Sequence, residues 1–215
     1  MSMNIMNPAG PLRVGVLALA RPTFDVPYAE QVCEEAWKLM EQIPVDWVGS
    51  SELLFDAKSV ESQLSEFKKE PLDLLLILQL TFTDASMTVK LAETFDVPLL
   101  FWSFPEKRKG GRLRLNSLCG VNLAAHALGK SGIQCDYLNL NPQYPGSSDA
   151  LVSSIRVFQT RKNLTSTKIA VIGEHPHGFQ TCAFDSEILE EITGVTVEHM
   201  ELLDLFTEAE QISQD

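Results

Sequence analysis

The side chains able to do chemistry are few and far apart in the chain. Arg21 directly follows an apolar run and precedes Pro22, which holds the arginine in extended geometry. A guanidinium there could make paired hydrogen bonds to vicinal hydroxyls or to a carboxylate, or pair on the surface with Asp25. Gln79 closes the most apolar stretch of the chain, Leu72 to Leu80. His126 follows Asn122 by four residues in a helical pattern, so the two share a face. They could offer a polar pair to a hydroxylated ligand at a subunit boundary, with a satisfied interior histidine as the plainer alternative. His175 and His177 alternate in an extended segment and also share a face. Two histidines alone rarely hold a divalent ion, so a structural or subunit-contact role is expected of them. Cys119 and His126 would lie about 10 Å apart along one helix, too far for a nucleophile and its base. No G-x-S-x-G elbow, G-x-G-x-x-G turn or phosphate-cradling G-x-x-x-x-G-K-[ST] loop occurs. The basic cluster from Lys107 to Arg114 therefore reads as a solvated loop, or as one that pairs with an acidic neighbour, with its mobility set by Gly110 and Gly111.

These residues sit on an alternation of strands and helices. The runs Arg13–Leu19, Val45–Val48, Leu72–Leu80, Val97–Trp102 and Cys135–Leu140 are short and apolar, as in strands of a parallel sheet. Between them, residues 25–42, 56–69, 84–95 and 116–130 carry apolar side chains at helical spacing. The expected fold is α/β: a doubly wound, mostly parallel five-stranded sheet of Rossmann or flavodoxin-like type over residues 12–146. In such a sheet, ligands gather at the carboxyl ends of the strands, where Arg21, Gln79 and the segment from Ser103 to Glu106 fall. A turn-rich stretch, 141–148, leads into a connecting helix over 147–166. Residues 168–173 then read as a buried strand, followed by a loop, a helix and another strand at 195–200. The chain stops at Asp215 before that second α/β domain, residues 167–215, can close. The expectation is of the N-terminal part of something larger, or a remnant of it.

Bulk composition narrows the function classes. Seventeen basic against 29 acidic residues give a net charge of −12, a surface that repels phosphate backbones and anionic membranes. Nucleic acid and membrane are therefore not expected partners. The four cysteines form no C-x-x-C pair and read as free buried thiols in a reducing compartment. The N-terminal residues lack a signal-peptide core, and no apolar run approaches the ~20 residues that span a bilayer. A cytoplasmic location follows as the expectation.

Three segments together resemble a known family. They are Leu19-Ala20-Arg21-Pro22-Thr23-Phe24-Asp25, the block from Gly111 to Leu128, and Ile172-Gly173-Glu174-His175-Pro176-His177-Gly178-Phe179 followed by Phe184-Asp185. The chain resembles the N-terminal region of the L-fucose/L-arabinose isomerase superfamily over nearly all of residues 12–206. The resemblance implies a metal-dependent aldose–ketose isomerase with Mn²⁺ as its usual ion, whose ligands lie in later domains and so outside this chain. It implies a homo-oligomer in which one subunit's N-terminal domain covers the active site of its neighbour. It also implies a small-molecule sugar as ligand, contacted in trans by Arg21, Gln79, Asn122 and His126. No catalytic or metal-ligating residue is carried over. A stand-alone sugar-binding or regulatory module without catalysis is the competing reading.

Overall fold

The computed structural model describes residues 10–107 and 110–212. Arg108 and Lys109 of the basic cluster, the first nine residues and the last three lie outside the described residues.

Five strands, β1 (Arg13–Leu19), β2 (Asp46–Leu54), β3 (Leu74–Gln79), β4 (Leu99–Ser103) and β5 (Asp136–Asn139), form one sheet in the order β2-β1-β3-β4-β5, every neighbouring pair parallel. The order reverses between β1 and β3, which marks the switch point of the doubly wound sheet. Helices α1 (Val26–Met40) and α5 (Ser147–Thr165) cover one face; α2 (Ala57–Phe67), α3 (Ser86–Thr94) and α4 (Ser117–Lys130) cover the other.

Side-chain alternation along the strands builds two cores. Val14, Val16 and Ala18 of β1 join Leu74, Leu76 and Leu78 of β3 against Ala29, Cys33 and Ala36 of α1. Leu17 and Leu19 join Leu75 and Ile77 against Leu64, Leu91 and Val121 on the opposite face. A strand buried on both faces cannot alternate polar with apolar, hence the unbroken Leu-rich run of β3. Helix starts are fixed locally. Asp25 caps α1 by accepting from the Tyr28 amide, and Asp56 forms a reciprocal capping box with Ser59. The compact unit runs from residue 11 to 158, and the first turns of α5 belong to its core through Leu151, Ile155 and Phe158.

The second unit holds the remaining described residues from 159, together with Gly10. After the end of α5 come β6 (Lys168–Ile172), a short 3₁₀ turn at Gln180–Cys182, α6 (Ser186–Thr193), β7 (Thr196–Met200) and α7 (Leu202–Glu210). β6 and β7 pair in parallel as a two-stranded sheet. The expectation of a buried strand at 168–173 fails here: four of the five β6 residues are exposed and none is buried. The described unit has two strands and two short helices, and apart from Val195 none of its residues is buried, so β6 is left without a packed core.

The cysteine expectation also needs correction. All four thiols are free, but only Cys33 is buried; Cys119 and Cys182 are exposed and Cys135 is intermediate. No helix among the described residues is long and apolar enough to cross a membrane.

Candidate functional site

The carboxyl ends of β1, β3 and β4 are roofed by the segment that links β4 to α4, and Glu106 is what holds it there. Its carboxylate accepts from three consecutive backbone amides: Arg114 at 2.7 Å, Leu115 at 3.0 Å and Asn116 at 2.7 Å. Three N–H groups on one carboxylate fix the loop's return path. Gly110 and Gly111 make the turn with φ of +80° and +74°, a region open to glycine at little cost. Asn116 takes φ +54°, the one non-glycine residue with positive φ among the described residues, and hands the chain into α4. Ser117 completes the junction. Its hydroxyl accepts from the Phe104 amide at 3.0 Å and donates to the Gln79 carbonyl, so β3, β4 and α4 meet on one oxygen.

Long-range contacts then pin the loop to the segment after β1. The Phe82 amide donates to the Leu115 carbonyl at 2.8 Å, and the Asp25 amide to the Arg114 carbonyl at 3.1 Å. The Arg114 guanidinium donates to the Asp25 carboxylate at 2.7 Å and lies 3.8 Å from the Tyr28 ring centroid. That guanidinium holds the Asp25 carboxyl below its ordinary range, with the Tyr28 amide adding to the effect, and the carboxylate raises Arg114 in return. Arg112 sits 4.7 Å over the ring of Phe24, and Phe24 tilts against Phe82 with centroids 6.3 Å apart. The basic cluster is thus not a freely solvated loop at its end. Both described arginines are docked on aromatic rings. The expected Arg21–Asp25 pair is also corrected, because Asp25 is taken by Arg114 instead.

An open cleft of about 450 Å³ lies at the switch point between β1 and β3, lined by Arg21, Thr23, Phe24, Phe82, Arg112, Leu113 and Asn116. Arg21 is exposed there, its backbone amide fixed to the Thr81 hydroxyl at 2.8 Å. Its charge reaches Asp84, whose carboxyl is lowered chiefly by its hydrogen bond from Ser86. A second, smaller cleft of about 260 Å³ lies beside it, with Tyr28, Glu106, Asn141 and Tyr144 in its wall.

The four expected sugar contacts separate. Arg21 opens into the switch-point cleft. Gln79 does not line the cleft; it is fully buried, its amide nitrogen donating to the Thr81 carbonyl at 2.7 Å and the Thr83 hydroxyl at 3.0 Å. Its side-chain oxygen has no hydrogen-bond partner among the described residues. Gly120 makes room for it, since a Cβ there would come within 3.0 Å of the Gln79 amide. Asn122 and His126 lie on the outer face of α4 and do not line the cleft. His126 is exposed, which rules out the interior-histidine alternative; Val121, Ala124 and Leu128 already fill the inward face of α4. His126 is also ten residues beyond Asn116, about 15 Å along the axis. Arg112 and Asn116 were not anticipated as site residues, and Glu106 was expected only as part of the strand-end segment from Ser103, without its role in holding the loop. The available signals were a basic cluster directly following a glutamate and an Asn-Ser pair entering a helix.

In the second unit, His175 and His177 are exposed, and the His175 ring contacts the neighbouring Pro176 carbonyl at 3.2 Å. Among the described residues, no group of three or more His, Cys, Asp or Glu side chains is placed to hold a metal ion. The described residues therefore do not fit a Mn²⁺ cage by themselves.

Comparison with known proteins matches this architecture. The model of the fucose/sulfoquinovose isomerase N-terminal domain matches residues 15–166, the five-stranded unit and α5. The sulfoquinovose isomerase of Alkalicoccus urumqiensis is 31% identical over 204 residues, covering 95% of this chain and 46% of that protein. Those of Priestia megaterium (strain ATCC 12872 / QMB1551) and Clostridium sp. (strain MSTE9) are each 29% identical, over 91% and 94% of this chain and 44% and 45% of their own lengths. The chain spans about half the length of the curated relatives it matches. With the match running from β1 through α5 and taking in the arginine-bearing cleft, the chain belongs to the fucose/sulfoquinovose isomerase N-terminal domain family.

Proposed function

We propose that this chain supplies a substrate-pocket wall and a subunit interface to an aldose–ketose sugar isomerase, and is inactive without further domains. The observation that carries this reading is the Arg21 cleft at the switch point of a sheet that belongs to the isomerase N-terminal family. Within it, Arg21 is the group that meets the sugar. Its guanidinium donates to adjacent hydroxyls and orients the ring, while Thr81 and the buried Gln79 hold the backbone from which it projects. Gln79 is thus a positioning residue. Asn122 and His126 serve the neighbouring subunit of a homo-oligomer, on the exposed face of α4. A divalent ion, Mn²⁺ by resemblance, would be held by residues outside this chain, and when bound would polarise the carbonyl and the adjacent hydroxyl of the sugar. The cytoplasm is the proposed location.

The test is to assay the 215-residue chain with Mn²⁺ and a panel of aldoses, alone and co-expressed with the C-terminal portion of one of the curated relatives. Ketose is expected only in the combined sample, and Arg21→Ala is expected to raise KM there. Turnover by the chain alone would contradict the claim of inactivity. Micromolar sugar binding by the chain, with no turnover in either sample, would favour the binding-module reading instead.

A further inference from the structure

Charge is unevenly spread along this chain. Residues 1–168 hold 17 basic and 18 acidic side chains, close to balance, while residues 169–215 hold 11 acidic side chains and no Lys or Arg. Nearly all of the net charge of −12 therefore falls after Lys168. Lys168 itself pairs with Glu198 at 2.6 Å, and the segment supplies no cation of its own to the other ten carboxylates. The same segment leaves its apolar side chains uncovered. On α6, Ile188 and Ile192 are four residues apart and share a face, and Ile192 is 77% exposed. On α7, Leu203 and Phe206 share a face, and Leu203 is 73% exposed. On the two-stranded sheet, Ile172 and Met200 are register partners and both are exposed. Single exposed leucines are ordinary, but repeated stripes of large apolar side chains mark a surface that meets something. Glu187 and Glu191 border the α6 pair, and Asp204 and Glu210 border the α7 pair.

We propose that α6 and α7 dock a protein partner whose contact surface is apolar at its centre and rimmed by Lys and Arg. The charge pattern selects that occupant. A second copy would set one all-acidic segment against another and place like charges across the contact. An anionic lipid surface is repelled in the same way. A basic-rimmed polypeptide meets both requirements: its apolar centre buries the stripes of α6 and α7, and its cations pair with carboxylates for which the segment has none. Buried area supplies the affinity, while the carboxylates set the rate of encounter and the choice of partner. The inference goes beyond the isomerase reading and stands on this surface alone.

The experiment titrates the full 215-residue chain, labelled at backbone nitrogens, with peptides of about 18 residues, five helical turns. One is an amphipathic helix with leucine on one face and lysine elsewhere. The second is a shuffled peptide of the same composition, and the third replaces lysine by glutamate in the first. The lysine helix is expected to move the amide signals of α6 and α7 and to bind at least about tenfold more tightly than either of the others. That advantage over the glutamate helix shrinks in about 0.5 M salt. Ile192→Asn and Leu203→Asn are each expected to lose about tenfold for the lysine helix, and Ile192→Leu to keep its affinity. The amide spectrum of each variant reports whether it is folded. Equal binding of the shuffled peptide, or unchanged affinity in both Ile192→Asn and Leu203→Asn, would overturn the docking face. A glutamate helix bound as tightly would overturn the basic rim. Loss of the chain's own association in the same two variants, read by sedimentation, would give the face to a second copy instead. Binding to neutral lipid vesicles that those variants abolish would give it to a membrane. No sugar or turnover is read, so failure of the isomerase reading leaves the result standing, and loss of the docking face leaves the switch-point cleft untouched.

Discussion

The two α/β units start alike, each with a short strand of small and branched apolar residues leading into a loop and a helix, yet Val16 in β1 is fully buried and Ile169 in β6 is 38% exposed. In the unit 11–158, β1 has hydrogen-bonded neighbours on both sides and helices on both faces. From residue 159 on, Val195 alone is buried among the described residues. That second unit is held by local polar contacts. Lys168 pairs with Glu198 at 2.6 Å, the Glu190 carboxylate accepts from the Val197 amide at 2.6 Å, and Gly194 ends α6 in the left-handed conformation. Caps and ladders fix the path of the backbone. Burial, at roughly 25 cal/mol per Å² of apolar surface, is what makes a path expensive to leave. The same sequence grammar therefore yields a deeply buried platform in one place and a sparsely buried two-stranded sheet in the other.

The sharpest way to break this contrast is kinetic. Cys33 is buried, its Sγ 3.4 Å from the Ser51 carbonyl, and burial pushes its thiol up to about 12; Cys182 is exposed. An aromatic disulfide reagent at neutral pH should modify Cys182 and Cys119 in the native protein, and Cys33 at least about a thousandfold more slowly, through global unfolding. Rapid labelling of Cys33 would mean that the platform opens locally.

The next test compares truncations. Trp102→Ala removes a fully buried ring that stacks on Phe104 and donates to the Leu140 carbonyl, and should cost about 3–5 kcal/mol in urea unfolding. Ile192→Ala, at a side chain 77% exposed, should change stability by less than about 0.5 kcal/mol. Comparable losses at the two positions would show that Ile192 is covered in solution.

Smaller effects separate the loop from the platform. Glu106→Gln keeps one acceptor oxygen but gives up the charge that three amides share, and should cost about 1–2 kcal/mol. The readout is hydrogen exchange, which should accelerate at Arg114, Leu115 and Asn116 and stay unchanged in β3. Uniform acceleration would assign Glu106 to global stability instead.

The smallest expected effect is the response to acid. Asp25 is depressed by Arg114 and the Tyr28 amide, and Asp56 by the backbone and side chain of Ser59. A carboxylate depressed in the folded state favours folding above the ordinary carboxylate range, and that contribution is lost as pH falls through its lowered value. The melting temperature should therefore drop on acidification, and Asp25→Asn should make the drop shallower. An unchanged slope would show that the exposed pair carries no stability.

Much of the platform was legible beforehand because its rules are local. The Leu-rich run 72–80 can be buried only on both faces, and it became β3 at Leu74–Gln79. The helical spacing over 56–69 became α2 at Ala57–Phe67. The site was less legible, because its contacts join residues far apart in the chain. Arg114 meets Asp25 across 89 positions, and Arg112 meets Phe24 across a similar span. Gln79 was placed at the right end of the right strand, but only the tertiary packing shows that it is fully buried against Gly120 and bonded to Thr81 and Thr83.

Hydrophobic period, capping residues and turn glycines determined which segments are strands and which are helices, because each of those signals acts within one or two turns of backbone. The tertiary structure alone decided which apolar strand would be buried and which basic residues would gather. Burial depends on how many layers pack together, and the field in the cleft depends on where a loop, pinned by one glutamate, sets down its arginines.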